Sequence, residues 1–153
     1  IIIDFEKIGK KFNTKFLFPV HPRTKKIINK LNIKKLNFIK ITKPLEFLDF
    51  LTTMKNSKII FTDSGGIQEE SSLLGVPCIT IRTTTERQLS IINKTNILTG
   101  YDYNKILKAI IYFNNSSMKP SKVFGDGNVS SRIFSMIKKF EIKLNKKIRR
   151  NLS

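Results

Sequence analysis

The residues with the most chemistry in this sequence lie in one short stretch, Asp63-Ser64-Gly65-Gly66, followed by Ile67-Gln68-Glu69-Glu70. An apolar, β-rich run ends at Thr62 and a helical run begins near Ile67. Two adjacent glycines at such a junction give the backbone dihedrals closed to other residues and let a ligand approach closely. The first amides of a helix have no intrahelical acceptor. With the positive end of the helix dipole they favour a phosphate or another anion. The plainer reading is a turn that only joins strand to helix. Ser64 has the place of a phosphate-contacting hydroxyl. It does not read as a nucleophile, because the flanking G-x-S-x-G pattern is absent.

Further along, periodicity adds a carboxylate. At about 100° per residue, Ile67, Glu70 and Leu74 share one helix face, and Glu69 points away as a solvated residue. A carboxylate on an apolar face is costly unless something satisfies it. Either a buried partner does so, or Glu70 faces a cleft and accepts hydrogen bonds from ligand hydroxyls, such as those of a ribose. Arg82-Thr83-Thr84-Thr85-Glu86-Arg87 supplies cations. Arginine suits bidentate phosphate binding, but Arg82 and Arg87 have Glu86 and nearby acids as equally available partners. His21, the one histidine, is either a structural residue near a turn or a phosphate contact. Cys78 falls in an expected buried strand and reads as inert core.

These groups need elements to position them. Lys15 to Val20, Asn37 to Ile41, Ile59 to Thr62, Cys78 to Ile81 and Asn96 to Thr99 read as strands. Helical spacing is expected over Ile1 to Asn13, Pro22 to Leu31, Leu45 to Lys55, Ile67 to Leu74, Glu86 to Asn93, Asp102 to Phe113 and Val129 to Leu144. Pro22 suits a first helical position, and Gly75-Val76-Pro77 stops the central helix. Phe47, Phe50, Leu51 and Met54 cluster on one face, which makes Phe50 a core residue by periodicity. Val129, Ile133, Met136, Ile137 and Phe140 form a stripe on the last helix, and Asp126 is placed to cap it. Alternation of strand and helix predicts an α/β fold with a doubly wound, mostly parallel, Rossmann-like sheet. Ligands of such sheets bind at the carboxyl ends of the strands. His21, Ser64-Gly65-Gly66 and Arg82 to Arg87 all follow expected strands, so the candidates converge on one edge.

Composition sets bounds. The chain has 153 residues, enough for one domain with a core. No run reaches the roughly 18 apolar residues of a membrane span, and the opening Ile1-Ile2-Ile3-Asp4 resembles no signal peptide. The expectation is a cytoplasmic chain that begins within a longer protein. The formal charge is +18, but the lysines are scattered and no nucleic-acid signature accompanies them. An anionic nucleotide fits the sign of the charge as well as nucleic acid does. One histidine and one distant cysteine make no metal set.

The stretch TDSGGIQEE, then a Gly-x-Pro stop, then R-x-T-T-E-R closely resembles the hydrolysing and non-hydrolysing UDP-N-acetylglucosamine 2-epimerases. Phe124-Gly125-Asp126-Gly127 resembles that family's Tyr-Gly-Asp-Gly loop. Gln88 stands where the family usually has a proline, which leaves the local helix start open. The resemblance implies the second domain of a two-domain glycosyltransferase-B fold, with residues 1–145 as a UDP-binding domain and 146–153 as a basic, frayed tail. It implies UDP or UDP-N-acetylglucosamine as ligand, held by Ser64, Gly65 and Gly66 at the pyrophosphate and Glu70 at the ribose. Phe50 would lie against the uracil, and Arg87 and His21 would offset charge on departing UDP. The reaction implied is inversion at carbon-2 of the sugar, with UDP eliminated and then added back, or water added instead. Its acid and base carboxylates belong mainly to a first domain, absent here along with a His-Arg-Arg-Glu-type segment. The last helix would pack toward that domain, and the complete protein would form a homodimer. No cofactor, metal, specific nucleic acid or membrane is expected. The alternatives are a UDP-sugar transferase of the same architecture, a basic nucleic-acid-binding module and an inactive gene remnant.

Overall fold

The computed structural model describes residues 1–30 and 36–151, with side chains through residue 143. The elements run α1 (Ile2–Phe12), β1 (Phe16–Pro19), α2 (Pro22–Lys30), β2 (Ile39–Thr42), α3 (Phe47–Lys55), β3 (Ile60–Thr62) and α4 (Gly65–Leu74). There follow β4 (Cys78–Thr80), α5 (Gln88–Ile92), β5 (Asn96–Leu98), α6 (Tyr103–Asn114) and α7 (Val129–Asn151). The alternation expected from the sequence is present. Leu31, where the sequence reading ends the second helix, lies outside the described residues.

Every pairing is parallel, as βαβ connections require. The ladders form two groups rather than one continuous sheet: β1 with β2, and β3-β4-β5. Between β1 and β3 the aromatic rings meet instead of the backbones. Phe16 and Phe61 lie edge-on with centroids 5.7 Å apart, and Phe5 of α1 packs against both.

Successive strand residues face opposite sides of a sheet. Ile79 and Ile97 turn toward α1 and α6, where Ile8, Ile106, Ala109, Ile110 and Phe113 complete the larger core. Full burial of an aliphatic side chain of this size contributes about 1.5–3 kcal/mol. On the other side, Met54, Ile60 and Val76 form a smaller cluster with Phe50, Leu51, Ile67 and Leu74 around it. Phe50 is thus a half-buried residue at the rim of that cluster. Phe47, expected on the same face, is 64% exposed because α3 begins at that residue.

The α4 face of the β3-β4-β5 sheet is polar. Gln68, Ser71, Ser72, Thr80, Ser90, Thr95 and Asn96 are all buried. This corrects the face assignment for α4. Gln68, Ser71 and Ser72 turn inward, while Ile67 and Leu74 pack only partly. Side-chain hydrogen bonds, described below, make burial of these polar residues tolerable, so hydrophobic periodicity points to the wrong side. Cys78 lies in the same layer, and burial pushes its thiol up to about 11 despite hydrogen bonds from Ser71 and Thr80. It is an inert thiol, as expected.

The last helix runs to Asn151, past the Leu144 end read from the sequence. Its stripe is covered by nothing among the described residues: Ile133, Met136, Ile137 and Phe140 are each at least half exposed. Asp126 tethers its start by accepting from the Asn128 amide at 3.0 Å and pairing with Arg132 at 2.9 Å.

Gly75 ends α4 in the left-handed region, φ 72°, and its amide bonds back to the Ser71 and Ser72 carbonyls. A Cβ there would lie 2.6 Å from the Pro120 nitrogen. Gly75→Ala is expected to destabilise the chain by at least about 1–2 kcal/mol, the cost of a left-handed non-glycine residue. Urea unfolding of the two proteins checks this.

Candidate functional site

Ser64 is the N-cap of α4 and has the extended backbone of a cap, φ −91° and ψ 131°. Serine at this place ordinarily accepts a hydrogen bond from an amide in the first turn. Here its hydroxyl makes no such bond. The backbone around it is fixed by other means. The Ser64 amide donates to Thr62 Oγ1 at 3.0 Å, and the Ser64 carbonyl accepts from the Gln68 amide at 3.3 Å. The amides of Gly65, Gly66 and Ile67 have no acceptor among the described residues. The helix start is therefore left as an open set of donors, with the positive dipole end behind it.

Neither Gly65 nor Gly66 has a positive φ. The need for unusual dihedrals, one of the two reasons given above for these glycines, does not hold. Close approach remains. A Cβ at Gly65 would lie 2.5 Å from Glu86 Oε1, so the Glu86 side chain rests against this glycine. A Cβ at Gly66 would meet only Ser64 Oγ, at 3.9 Å. Gly66 thus occupies a helical, exposed position that alanine would fill without a clash in the free protein.

The Thr-rich loop after β4 brings the arginines here. Arg82 donates to the Asp63 carbonyl at 3.4 Å and pairs with Glu86 at 3.5 Å. Arg87 pairs with Glu86 at 3.6 Å and also with Glu69. The pairing alternative left open by the sequence is thus the one adopted in the free protein. Glu69 is not merely solvated; it is an ion-pair partner of Arg87. Glu86 accepts from its own backbone amide and lies beside both arginines, which together hold its carboxyl below the usual range. α5 begins at Gln88 without the proline, and Gln88 Nε2 bonds to the Thr85 carbonyl at 2.7 Å.

Glu70 lies one turn into α4 and is half-buried. It has no hydrogen-bond or ion-pair partner among the described residues. Desolvation, and then the neighbouring charge of Glu69, push its carboxyl up. Glu70 lies on the partly packed side of α4 rather than its buried face, and of the two fates weighed for it a protein partner is not realised among the described residues.

Ser64, Gly65 and Gly66 open α4, Arg87 meets the helix through Glu69, and Glu70 lies one turn further along with no contact to the other candidates among the described residues. Phe50 belongs to the cluster that includes Ile67 of the same helix. His21 follows β1, in the other sheet. It is exposed, and its Nδ1 accepts from the Arg23 amide at 3.3 Å, a local turn contact. No hydrogen bond among the described residues ties it to α4. A shallow cavity of about 320 Å³ at β5 and α6 is lined by Ile97, Lys105, Lys108 and Tyr112, and no candidate residue faces it. Among the described residues no His, Cys, Asp and Glu cluster could hold a metal ion, and no helix is long and apolar enough to cross a membrane.

Sequence reasoning passed over Gln68, Thr85, Ser90 and Asn96, which hold the arginine loop to α4. Thr85 Oγ1 donates to Gln68 Oε1 at 2.7 Å, and Asn96 Nδ2 donates to the same oxygen at 3.0 Å. The available signal was an asparagine opening an expected buried strand and a glutamine inside the helical motif.

Comparison with known proteins shows the family. A family model described as UDP-N-acetylglucosamine 2-epimerase matches residues 2–138. A UDP-N-acetylglucosamine 2-epimerase of Methanococcus maripaludis is 39% identical over 141 residues, 90% of this chain and 38% of that protein. The Methanocaldococcus jannaschii UDP-GlcNAc 2-epimerase, solved in complex with UDP-GlcNAc and UDP, matches with a TM-score of 0.80 at 36% identity, over 90% of this chain and 39% of that one. The Neisseria meningitidis enzyme bound to UDP-GlcNAc gives a TM-score of 0.79 at 30% identity, over 91% and 40%. The chain therefore spans about two-fifths of the length of these relatives. With the motif, the α/β fold and the open helix start all in agreement, this chain belongs to the UDP-N-acetylglucosamine 2-epimerase family.

Proposed function

We propose that this chain is the UDP-binding part of a UDP-N-acetylglucosamine 2-epimerase and acts together with the remainder of a longer protein. The observation that carries the reading is the uncapped start of α4, where Gly66 is a glycine the free fold does not require. An anion seated there meets the amides of Gly65, Gly66 and Ile67 and the unused Ser64 hydroxyl. The pyrophosphate of UDP has the charge and the oxygen count for this. Glu70, one turn on and without a protein acceptor role, takes the ribose hydroxyls as donors. Phe50 offers an aromatic face at the rim of its cluster for the base.

The chain's residues act on charge. As UDP leaves the sugar, negative charge grows on the diphosphate. Once UDP has displaced the Glu86 carboxylate, the fixed amides and Arg87 are in place to meet that charge, and such preorganised stabilisation is a major catalytic contribution. The acid and base that move protons at the sugar are assigned to the part of the protein outside this chain. For the diphosphate to reach Gly65 and Arg87, the Glu86 carboxylate must swing aside, because it rests on one and pairs with the other. The outward α7 stripe is the surface this reading gives to the remainder of the protein, since exposed apolar patches mark docking sites. His21 is retained as a second phosphate contact, supported by its place after β1. The homodimer belongs to the same reading of the complete protein.

Isothermal calorimetry of the chain with UDP tests the reading. Glu70→Ala is expected to weaken binding by on the order of 1–3 kcal/mol through lost charge-assisted hydrogen bonds. Unchanged affinity removes Glu70 from the site. Gly66→Ala is expected to raise stability by roughly 0.5–1 kcal/mol, the usual gain of alanine over glycine in a helix, while UDP affinity falls. A variant that is more stable and binds UDP as before places the phosphates elsewhere. Glu70 also gives a pH signature in the free protein. A carboxyl whose folded value is raised stabilises the fold fully below its ordinary value of 4.5, and that stability is lost as pH rises through the folded value. Glu70→Gln is therefore expected to flatten the decline in stability just above pH 4.5, measured by thermal unfolding across that window.

A further inference from the structure

Arg87 sits in a loop, and loops do not hold guanidinium groups still by themselves. Yet both ends of its peptide unit lead to the same buried pair of side chains. On one side the Arg87 amide donates to Thr85 Oγ1 at 3.0 Å, and that hydroxyl donates to Gln68 Oε1 at 2.7 Å. On the other side the Arg87 carbonyl accepts from Ser90 Oγ at 2.7 Å, and that hydroxyl accepts from Asn96 Nδ2 at 3.2 Å. Asn96 Nδ2 also donates to Gln68 Oε1, at 3.0 Å, which closes the circuit. Asn96 is itself fixed to the sheet, because its Oδ1 accepts from Thr80 Oγ1 at 2.8 Å. Gln68 and Ser90 are fully buried, Asn96 is 2% exposed and Thr85 5%.

Gln68 belongs to α4, the helix whose first turn offers the amides. One side chain therefore joins α4 to the backbone that carries Arg87, while the guanidinium itself pairs with Glu69 of the same helix and with Glu86. Its Nε2 has no partner among the described residues. The amide is thus held by its oxygen, and that oxygen serves the loop. Buried hydrogen-bond circuits of this kind rigidify what they connect.

We propose that Gln68 and Thr85 are positioning residues that hold Arg87 against the N-terminus of α4, so that the diphosphate meets a preset cation. The inference rests on the UDP reading above, and it predicts a loss confined to the phosphates. Thr85→Val keeps the shape and removes the hydroxyl, whereas Thr85→Ser keeps the hydroxyl. NMR titration of the full chain with UDP and with uridine, which lacks the phosphates, separates the possibilities. Thr85→Val is expected to lower UDP affinity about tenfold, the value of one well-made hydrogen bond, and to leave uridine within about twofold. Thr85→Ser is expected to retain both. Equal losses for UDP and uridine, or unchanged UDP affinity in Thr85→Val, overturn the inference.

Hydrogen exchange of the Arg87 amide reads the circuit without any ligand. Its protection is expected to fall in Thr85→Val and to persist in Thr85→Ser; protection unchanged in Thr85→Val also overturns the inference. If the wild-type chain binds neither probe while exchange behaves as expected, the UDP reading fails and the linkage of Arg87 to Gln68 stands.

Discussion

Burying polar side chains is the constraint on which this structure turns. Much of the layer between α4 and the β3-β4-β5 sheet is made of amides and hydroxyls, beside a small apolar cluster at Met54, Ile60 and Val76, where a doubly wound fold ordinarily uses branched aliphatics throughout. Each such group costs free energy unless it is hydrogen-bonded, and a partly satisfied network is worse than an apolar core. The geometry across the layer is therefore narrowly set. Gln68, Thr85, Ser90 and Asn96 satisfy one another only when α4, the arginine loop, α5 and β5 have one mutual placement. Ser72 and Thr95 bond to each other further along the same layer, and Thr95 also donates to the Ser90 carbonyl at 3.1 Å. An apolar layer of similar volume would tolerate sliding. This one does not, and the start of α4 inherits its rigidity.

The opposite face of the same sheet shows what the polar layer is for. There Ile79 and Ile97 pack with Ile8, Ile106, Ala109, Ile110 and Phe113, and burial is non-directional. That side supplies stability. The α4 side supplies orientation. The division falls between neighbouring residues of single strands: Ile79 lies between Cys78 and Thr80, and Ile97 follows Asn96. A period of two thus separates the two tasks within three-residue strands.

The same division explains what could be read in advance. Strand and helix order was legible because apolar runs and breakers mark it, and the Ser64-Gly65-Gly66 junction was legible because only a few residue types suit a helix start. Glu70 was singled out as a carboxylate sharing a helix face with Ile67 and Leu74 one turn from that start, and the structure leaves it partly buried without a partner among the described residues. The inward face of α4 was not legible. Hydrophobic periodicity scores Ile67 and Leu74 and ignores the fully buried Gln68, Ser71 and Ser72: Ser71 bonds to the Gln68 carbonyl in its own helix, Ser72 to Thr95, and Gln68 to partners from distant parts of the chain. Those partners, Thr85 and Asn96, lie 17 and 28 residues away from Gln68, and no local pattern encodes them. The pairing of Arg87 with Glu69 escaped for the same reason. The division of the ladders into two groups and the bare stripe on α7 depend on which surfaces meet, and periodicity along one element carries no information about that.

Most of the chain's departures from local rules face outward; Gln68 Nε2 and Thr42 Oγ1 are buried exceptions among the described residues. A serine stands at an N-cap and does not cap. A glycine occupies a helical position with room for a side chain. A carboxylate is partly desolvated with no partner, and a helix exposes its apolar stripe. Inside, the buried amides and hydroxyls around Gln68 Oε1 are hydrogen-bonded to one another. Proteins break such rules at functional sites and keep them elsewhere. Here the uncapped amides, the open glycine and the lone acid all sit on the first two turns of one helix. The α7 stripe is an unmet need of a different kind, apolar where the start of α4 is polar, and the two lie on separate elements of the fold.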